Sequence, residues 1–428
     1  MEKFDAIIIG GGVAGSVAAY ELSKHYPRVL LVEKERELGG MVASYHIDGF
    51  SIERYYHHFF SQDTQLLELS KEIRLESSEI WSEAPIGYYF DNRIFNLNTP
   101  FEILRYKYIS LGDKFKLGAS LIKLRHIDDL SSLDNITAKD WIVRNTSERV
   151  YENFFKPLLR SKFGDEFNIS AAWLCARLKK RSNKKVKGEK LGYFDGGFET
   201  FFNAIESRAG TRVDFLKGTE AERIITEYNK VKGVVAGGTE YLSDVVISTV
   251  GPSTLLRLCD LPETIKQRLN KIKQQAVVCT IFGLKQSLFK PYWLNIKSDN
   301  LPFGILIEHN NFVDFSQYKG ARIIYAVTYC NRENDSFFKK PIEDIEDIYI
   351  RSLEAHFNLR LENILWRRTS KTKEAGSIYE KGLLKLLPDI KSGISGLYLC
   401  GMIRSYPDRG INESITDAKE CVDIILRR

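Results

Sequence analysis

The pattern of apolar and polar residues predicts a strand–turn–helix–strand unit near the N-terminus. Ala6–Ile9 is a short apolar run, as expected for a strand that is buried on both faces. Val13–Lys24 has Ala and Leu on one face and predicts a helix. Arg28–Val32 is a second buried strand, and Glu33 stands at its end. This order is typical of a βαβ unit.

The stretch from residue 63 to residue 190 has mainly helical spacing, with apolar residues recurring on one helix face. Thr137 and Ser147, each followed by a carboxylate, are typical helix starts. Tyr88–Asn96 predicts a short hairpin, and Asp48-Gly49 is a turn pair between Ile47 and Ile52. The predicted helices are Thr64–Ile73, Thr99–Tyr106, Leu111–Leu124, Thr137–Asn145 and Ser147–Leu159.

Beyond Leu191 the pattern changes to short strands, several of which alternate in the manner of an antiparallel sheet. The predicted strands are Val213–Leu216, Glu220–Glu227, Val231–Ala236, Val245–Val250, Ala276–Leu284, Gly304–Glu308, Arg322–Tyr329 and Gly396–Gly401. An amphipathic helix is predicted at Pro341–Leu359, and a final helix runs from about Gly410 to Leu426.

A glycine motif joins the first strand to the first helix. Gly10, Gly12 and Gly15 form G-x-G-x-x-G, and Glu33 follows about as far on as the acid of a dinucleotide site. Gly10 permits a sharp turn, Gly12 lets a pyrophosphate approach the backbone, and Gly15 permits close packing of helix on strand. Glu33 suits a ribose diol and would repel a 2′-phosphate. We therefore expect dinucleotide binding, the alternative being a glycine-rich structural turn in another α/β domain.

Tandem glycine follows the ribose acid. Gly39-Gly40 predicts a second close approach of backbone to the same ligand, which domains that bind only NAD usually lack.

These elements predict an α/β fold in which one Rossmann-like domain is assembled from three separated chain segments. Residues 1–75, 191–258 and 386–428 would form the dinucleotide-binding domain. The insertions would form an α+β substrate domain, mainly helical in 76–190 and with an antiparallel sheet and a helix in 259–385. The default pocket lies where these pieces meet.

The composition is that of a globular protein, with 43% hydrophobic and 28% charged residues. A net charge of +6 is mild for 428 residues and does not indicate a nucleic-acid partner. No apolar run is long enough to cross a bilayer. Six scattered cysteines predict buried free thiols in a reducing cytoplasm, with neither a disulfide framework nor a metal site.

Two basic stretches stand out. Arg177–Lys190 is a strong charge run, and we favour a solvated, mobile loop over a patch for an anionic substrate or membrane. Thr99–His126 is basic with Phe, Tyr and Leu interleaved, so it suits either a membrane surface or packed helices. The prediction is a cytoplasmic protein for which peripheral membrane contact stays open.

Together these features resemble the flavin amine oxidase superfamily, which includes protoporphyrinogen oxidases, phytoene desaturases and monoamine oxidases. The resemblance rests on Gly10–Gly15, Glu33, Gly39-Gly40, Gly196–Phe198, Asp244–Gly251 and Leu399–Ala418. It implies bound FAD in a GR2-type fold, with the flavin or its phosphates near the last helix and the adenine near Glu220 and Ala221. The cofactor residues that it implies are Gly10, Gly12, Val13, Ala14, Gly15, Glu33, Lys34, Gly39, Gly40, Met41, Val42, Glu220, Ala221, Gly251, Gly401, Met402, Gly410, Ile411 and Asn412.

Two positions depart from the amine oxidase pattern. Met41 stands where those enzymes usually have Arg, and Met402 stands where they usually have an acid. Neutralisation of the phosphates must then come from helix dipoles or another base.

A second resemblance is to UDP-galactopyranose mutases. Tyr55–Phe60 is similar to a mutase segment in which a histidine, here His58, faces the flavin, and Ser147–Gly164 is similar to another. Arg404 and Arg409 stand where a mutase has an Arg-containing loop. His58 and Arg409 are therefore the candidate catalytic residues, although His57 and His58 suit packed residues satisfied by backbone carbonyls equally well.

The leading functional hypothesis is an FAD-dependent oxidoreductase in which a bulky, partly apolar substrate gives a hydride to flavin N5. Isoprenoid, porphyrin-like and sugar-linked substrates all suit an aromatic content of 12%. The alternative is a sugar-nucleotide mutase, in which reduced flavin acts as a nucleophile and arginines hold a diphosphate. A non-enzymatic FAD scaffold is a third class. The candidate diphosphate ligands are Arg54, Arg160, Arg177, Arg404 and Arg409.

Overall fold

The computed structural model describes residues 2–96, 100–163, 168–182, 190–298, 300–331 and 335–427. The strands are β1 (Glu2–Lys3), β2 (Ala6–Ile9), β3 (Val29–Glu33), β4 (Ser44–Ile47), β5 (Phe50–Glu53), β6 (Phe59–Phe60), β7 (Glu79–Glu83), β8 (Ile86–Phe90), β9 (Arg93–Asn96), β10 (Lys190–Phe194), β11 (Val213–Lys217), β12 (Ala221–Glu227), β13 (Lys230–Ala236), β14 (Thr239–Leu242), β15 (Val246–Ser248), β16 (Ala276–Leu284), β17 (Trp293–Ile296), β18 (Ile305–Glu308), β19 (Arg322–Cys330), β20 (Ile364–Thr372) and β21 (Leu397–Leu399). The helices are α1 (Val13–Ser23), α2 (Thr64–Glu72), α3 (Pro100–Arg105), α4 (Leu111–Arg125), α5 (Ala138–Asn145), α6 (Glu148–Val150), α7 (Lys156–Phe163), α8 (Ala171–Ser182), α9 (Glu199–Ala209), α10 (Pro252–Leu258), α11 (Glu263–Lys271), α12 (Ser336–Lys339), α13 (Ile342–Phe357) and α14 (Ile411–Leu426).

The centre of the fold is a five-stranded parallel sheet of order β11-β3-β2-β15-β21. Its strands come from the N-terminal, middle and C-terminal segments of the chain, as the sequence predicts. The α/β, Rossmann-like fold class is thus confirmed, whereas the domain boundaries stay a prediction.

Both faces of the parallel sheet are buried, which explains why its strands are continuously apolar. Ala6 and Ile8 of β2 face a core with the helices α1, α9 and α14. Ile7 and Ile9 point the other way, into a core with the β12–β13 hairpin and α10, because successive side chains of a strand alternate.

The second large element is a seven-stranded sheet of order β20-β16-β19-β18-β17-β8-β9. Its pairs are antiparallel except that β17 runs parallel to β8. The predicted hairpin Tyr88–Asn96 forms as β8 and β9, and it joins this sheet although almost 200 residues separate it from β17. The sequence predicts neither β17 nor β20, which is polar on much of its length.

Local predictions of turns and helices are largely confirmed. Asp48 and Gly49 both have positive φ in the turn between β4 and β5, as an Asp-Gly hairpin turn requires. The predicted helices of 64–159 correspond to α2–α7, of which α6 and α7 are joined through a π-helical turn at Tyr151–Phe155. Thr99 and Gly164, which the sequence analysis includes, lie outside the described residues.

The predicted solvated loop at Arg177–Lys190 is wrong in its first part. The helix α8 continues through Ser182, and Arg177 Nη1 donates to Asp408 Oδ2 at 3.0 Å. Lys180 forms an ion pair with Glu413 at the start of α14. The helix therefore continues through basic residues because acidic residues elsewhere in the fold pair with them. The charge run by itself does not reveal those partners. Residues 183–189 lie outside the described residues.

One buried carboxylate fastens the last helix to the last strand of the parallel sheet. Asp417 of α14 accepts the Gly401 N–H at 2.6 Å and Arg404 Nε at 3.0 Å. Asp417 and Gly401 are buried and Arg404 is half-buried, so each of these bonds is protected from water.

We expect Asp417→Asn to lower the free energy of unfolding by about 3 kcal/mol, because a buried ion pair is broken. Urea titration followed by circular dichroism measures the change. Asp423→Asn, on the exposed face of the same helix, is the control and should be near neutral. Equal midpoints for Asp417→Asn and the parent protein would contradict the role of this carboxylate.

Candidate cofactor and substrate site

The glycine loop brings the start of α1 against the end of β2. Gly10 has φ +102°, and a Cβ at Gly15 would lie 1.8 Å from the Gly10 carbonyl oxygen. Gly12 is the N-cap residue of α1 and has no side chain that could cap the first turn. The N–H groups of that turn are thus free for an anion, and the helix dipole favours negative charge there.

Glu33 is fixed beside this loop by the backbone. Its Oε2 accepts the Gly11 N–H at 2.6 Å, and its Oε1 accepts the Glu35 N–H at 2.8 Å. The carboxylate is buried, and its remaining lone pairs can accept hydrogen bonds from a ribose diol.

The segment before β12 lies next to Glu33, since the Thr219 N–H donates to the Glu33 carbonyl at 2.9 Å. The Glu220 side chain forms an exposed ion pair with Arg257, and Ala221 is buried. The predicted position of adenine beside these two residues stays a prediction.

Gly39-Gly40 packs directly on the glycine loop. The Gly39 N–H donates to the Gly11 carbonyl at 2.8 Å, and a Cβ at Gly40 would lie 3.1 Å from Gly12 Cα. Val42 is buried and Met41 half-buried, while Lys34 is exposed.

The C-terminal segment completes the cradle. A Cβ at Gly401, which has φ +88°, would lie 2.8 Å from the Ala14 Cβ, so this segment touches the start of α1. Gly410 is the N-cap of α14 and makes no side-chain cap, but the Glu413 carboxylate of the first turn occupies the space of a Cβ on Gly410. Met402 is half-buried and Ile411 is buried beside these two glycines.

Two predicted cofactor residues have other partners. Asn412 Oδ1 accepts the N–H groups of Gln65 and Leu66 and so caps α2. Gly251 is the N-cap of α10, where Glu374 accepts the Ser253 N–H at 3.0 Å and occupies the space of a Cβ on Gly251. This helix start is therefore already capped by a carboxylate.

The candidate catalytic residues lie in two adjoining clusters. His58 Nδ1 is 3.0 Å from the Tyr292 hydroxyl, and its ring makes edge contacts with Tyr292 and Trp293. Arg409 Nη2 donates to Gln275 Oε1 at 2.8 Å. The clusters meet where Tyr56 packs edge-on against Trp293 at 4.9 Å between ring centroids.

A network of hydroxyls on half-buried tyrosines lies beside Arg409, and the sequence does not predict it. The Tyr56 and Tyr329 hydroxyls are 2.8 Å apart, and Lys162 Nζ donates to the Tyr329 hydroxyl at 3.1 Å. Burial lowers the pKa of Lys162 to about 8. Burial raises the pKa of the Tyr329 phenol, but the nearby charges of Lys162 and Arg409 outweigh it, so the pKa falls below its ordinary value.

Some signal for this network exists in the sequence. Lys162 stands in the mutase-like segment Ser147–Gly164, and Tyr56 stands in the segment Tyr55–Phe60. Tyr329 ends a strand of ordinary β pattern, so nothing local distinguishes it from a packed tyrosine. Neighbouring His57 is also in this region, and burial lowers its pKa to about 4.

The described part of the structure also bears on metal sites, membrane-spanning helices and cysteines. Within residues 2–427 as far as they are described, no group of three or more His, Cys, Asp or Glu side chains could hold a metal ion. None of the described helices is both long and apolar enough to cross a membrane. All six cysteines are buried and free, as predicted.

Comparisons with known proteins identify relatives of this arrangement. The family model for flavin containing amine oxidoreductases matches residues 13–426. A coproporphyrinogen III oxidase of Staphylococcus aureus is 25% identical over 280 residues, which are 56% of this chain and 59% of that protein. The match thus spans less than two thirds of the length of this relative.

Two solved structures have the same fold. An Exiguobacterium protein provisionally assigned as a protoporphyrinogen oxidase superposes with a TM-score of 0.80 at 18% identity, over 100% of this chain and 99% of the other. A reduced UDP-galactopyranose mutase superposes with a TM-score of 0.76 at 16% identity, over 99% and 96% of the chains. At such identities the likeness concerns the fold alone.

The residues present fit FAD. The helix α1 begins at an uncapped glycine, and Gly12, Gly40 and Gly401 leave the space that side chains would fill. The N-terminus of α1 supplies a positive end of the kind that the departures at Met41 and Met402 require.

We expect Glu33→Gln to weaken FAD binding about tenfold or more, because a buried backbone donor then faces an amide instead of a carboxylate. The ratio of flavin to protein absorption after purification and the Kd for added FAD measure the effect. Glu37→Gln, an exposed neighbour, is the matched control. Unchanged FAD affinity in Glu33→Gln would exclude this carboxylate from the cofactor site.

Proposed function

This chain belongs to the family of flavin containing amine oxidoreductases, and from that premise we propose that it is an FAD-dependent oxidase of a bulky cyclic substrate of the porphyrinogen class. The observation that carries the proposal is the wall of the site. Half-buried Tyr56 forms this aromatic wall and is backed edge-on by the buried rings of Trp293 and Tyr325, an arrangement that suits a large, flat, partly apolar ligand. The S. aureus relative named for coproporphyrinogen III supports the same class.

FAD, when bound, supplies the hydride acceptor of the reaction. The chain's own residues would bind and orient the cofactor: the first turn of α1 would hold the pyrophosphate, and Glu33 would hold the adenosine ribose. The buried aromatic side chains exclude water from the reacting region, which strengthens electrostatic interactions there. His58, fixed by the Tyr292 hydroxyl, would position the substrate or the reactive edge of the cofactor.

A sugar-nucleotide mutase is the second candidate. The segment Tyr55–Phe60, the arginines Arg177 and Arg409 and the mutase-like fold favour it. Arg177 is partly neutralised by Asp408, and Arg404 is held by Asp417, so fewer free arginines face the site than a diphosphate would use.

Anaerobic mixing separates the two candidates. We expect coproporphyrinogen III to bleach the flavin absorption of the purified protein, and air to restore it as porphyrin fluorescence grows. Heat-denatured protein controls for spontaneous oxidation. If no porphyrinogen bleached the flavin, and chemically reduced protein instead interconverted UDP-galactopyranose and UDP-galactofuranose without net oxidation, the oxidase proposal would fail.

A further inference from the structure

We infer that Lys162, Arg409 and Arg177, with the hydroxyls of Tyr56 and Tyr329, form a binding site for one anionic group of the substrate, a carboxylate or a phosphate. This inference rests on the proposed function, because it assigns a charge to the substrate of the same site. We call these five residues the anion cluster.

The charges of the anion cluster do not balance. Asp408 is buried and bonds to Arg177, which holds the pKa of this carboxyl below its usual range despite the cost of burial. The contacts of Lys162 and Arg409 are with neutral groups, Tyr329 and Gln275. Arg409 Nη1 is buried and has no hydrogen-bond partner among the described residues. Within the described part of the chain, Lys162 and Arg409 therefore lack an acidic partner in a region where unpaired charge is costly.

The backbone is shaped to accommodate this arrangement. A Cβ at Gly376 would lie 2.1 Å from Arg409 Nη1, so the guanidinium rests on a residue that has no side chain. The Gly376 φ of +140° is one that other residues rarely adopt.

The anion cluster also remains accessible from within the fold. The Arg177 side chain is 24% exposed, and Lys162, Tyr56, Tyr329 and Arg409 are half-buried. Burial nevertheless lowers the pKa of Lys162 and raises the pKa of the Tyr56 phenol. These side chains lie deep in the protein and are still partly exposed, so we infer that they line an internal space. That space adjoins the aromatic wall at Tyr56.

The charge of the anion cluster selects among substrate classes. A protonated amine would meet net positive charge and is disfavoured, and a hydrocarbon would leave Lys162 and Arg409 unpaired. A ring that carries carboxylates satisfies both the aromatic wall and the cations. A phosphate group offers the same oxygen chemistry and would come from a sugar nucleotide.

Binding of coproporphyrin III and of UDP to the FAD-loaded protein, followed by fluorescence quenching and calorimetry, tests the anion cluster without turnover. We expect Lys162→Gln and Arg409→Gln each to weaken binding of the carboxylated porphyrin about tenfold or more, and to leave its tetramethyl ester unaffected. Lys156→Gln, a change of the same charge at the other end of α7, should have no effect.

The outcomes separate this inference from the proposed function. Equal porphyrin affinity in Lys162→Gln, Arg409→Gln and parent protein would overturn the anion cluster, while flavin bleaching by porphyrinogen would still stand. Binding of UDP alone, weakened by the same variants, would keep the anion cluster and overturn the porphyrinogen proposal. Binding of neither probe to the parent protein would overturn the anion cluster.

A different observation carries a second inference, on the surface formed by α3 and α4. Phe101, Leu104, Leu111, Phe115 and Ile122 are between 43% and 73% exposed. The three on α4 lie at spacings of four and seven residues, so they share one helix face. Lys114 Nζ donates to the Leu104 carbonyl at 2.7 Å, which joins the two helices into one surface.

We propose that this α3–α4 surface docks on an anionic lipid bilayer. Residues 101–125 carry six basic side chains against two acidic ones, and one of the acids, Asp113, is buried and donates its N–H to the capping hydroxyl of Ser110. Exposed apolar side chains interleaved with Lys and Arg are the pattern of a helix that lies in a membrane interface. Because the surface is positively charged, the lipids that it would bind are those with acidic headgroups.

Co-sedimentation with vesicles tests the membrane surface. We expect binding to vesicles of phosphatidylcholine with phosphatidylglycerol, little binding to phosphatidylcholine alone, and loss of binding in Phe101→Ser/Phe115→Ser. Leu361→Ser/Leu365→Ser removes two exposed apolar residues elsewhere and should bind normally. No binding by the parent protein, or equal binding by the Phe101→Ser/Phe115→Ser variant, would overturn the proposal. The proposal would also be overturned if the parent protein formed a dimer that only the Phe101→Ser/Phe115→Ser variant failed to form, because the surface would then bind a second copy of this chain.

Discussion

The structure depends on three chain segments approaching one another so closely that side chains would not fit between them. The glycine loop, the tandem glycine and Gly401 meet at the start of α1, where added Cβ atoms would overlap the backbone or Ala14. That contact closes the parallel sheet from residues almost 400 positions apart. It also leaves the uncapped start of α1 beside the tandem glycine, which is a physical basis for holding a pyrophosphate without a basic side chain. The methionines at positions 41 and 402 are compatible with FAD for that reason.

The sequence predicts an element of this fold when the residues that specify the element lie close together along the chain. The βαβ unit, the Asp48-Gly49 turn and the helices α2–α7 have their signals within a few residues, and the structure has them in place. The strand β20 is polar along much of its length and is specified by pairing with β16, which lies over 80 residues earlier. The helix α8 extends through a charge run because Asp408 and Glu413 arrive from the C-terminal segment. Long-range partners of this kind leave no local pattern.

The candidate site shows the same division. The cofactor glycines and Glu33 are predictable, since each has a conformational or hydrogen-bonding reason within a known motif. Asn412 and Gly251 also have partners that the sequence does not reveal, a neighbouring helix start and Glu374, and their place in the cofactor site stays a prediction. The pairing of Lys162 with Tyr329 cannot be predicted from either residue alone, because only the fold brings the Lys162 Nζ within 3.1 Å of the Tyr329 hydroxyl. The positive charge that Lys162 shares with Arg409 is the observation behind the inferred anion site.

Hydrogen–deuterium exchange of the cofactor-free protein, with and without added FAD, tests directly whether one cofactor spans all three segments. The account predicts coordinated protection of residues 10–16, 39–43 and 401–414 when FAD binds, because their backbones form one cradle. Protection confined to residues 10–16, with the segment around Gly401 unchanged, would contradict a site that is completed by the C-terminal helix.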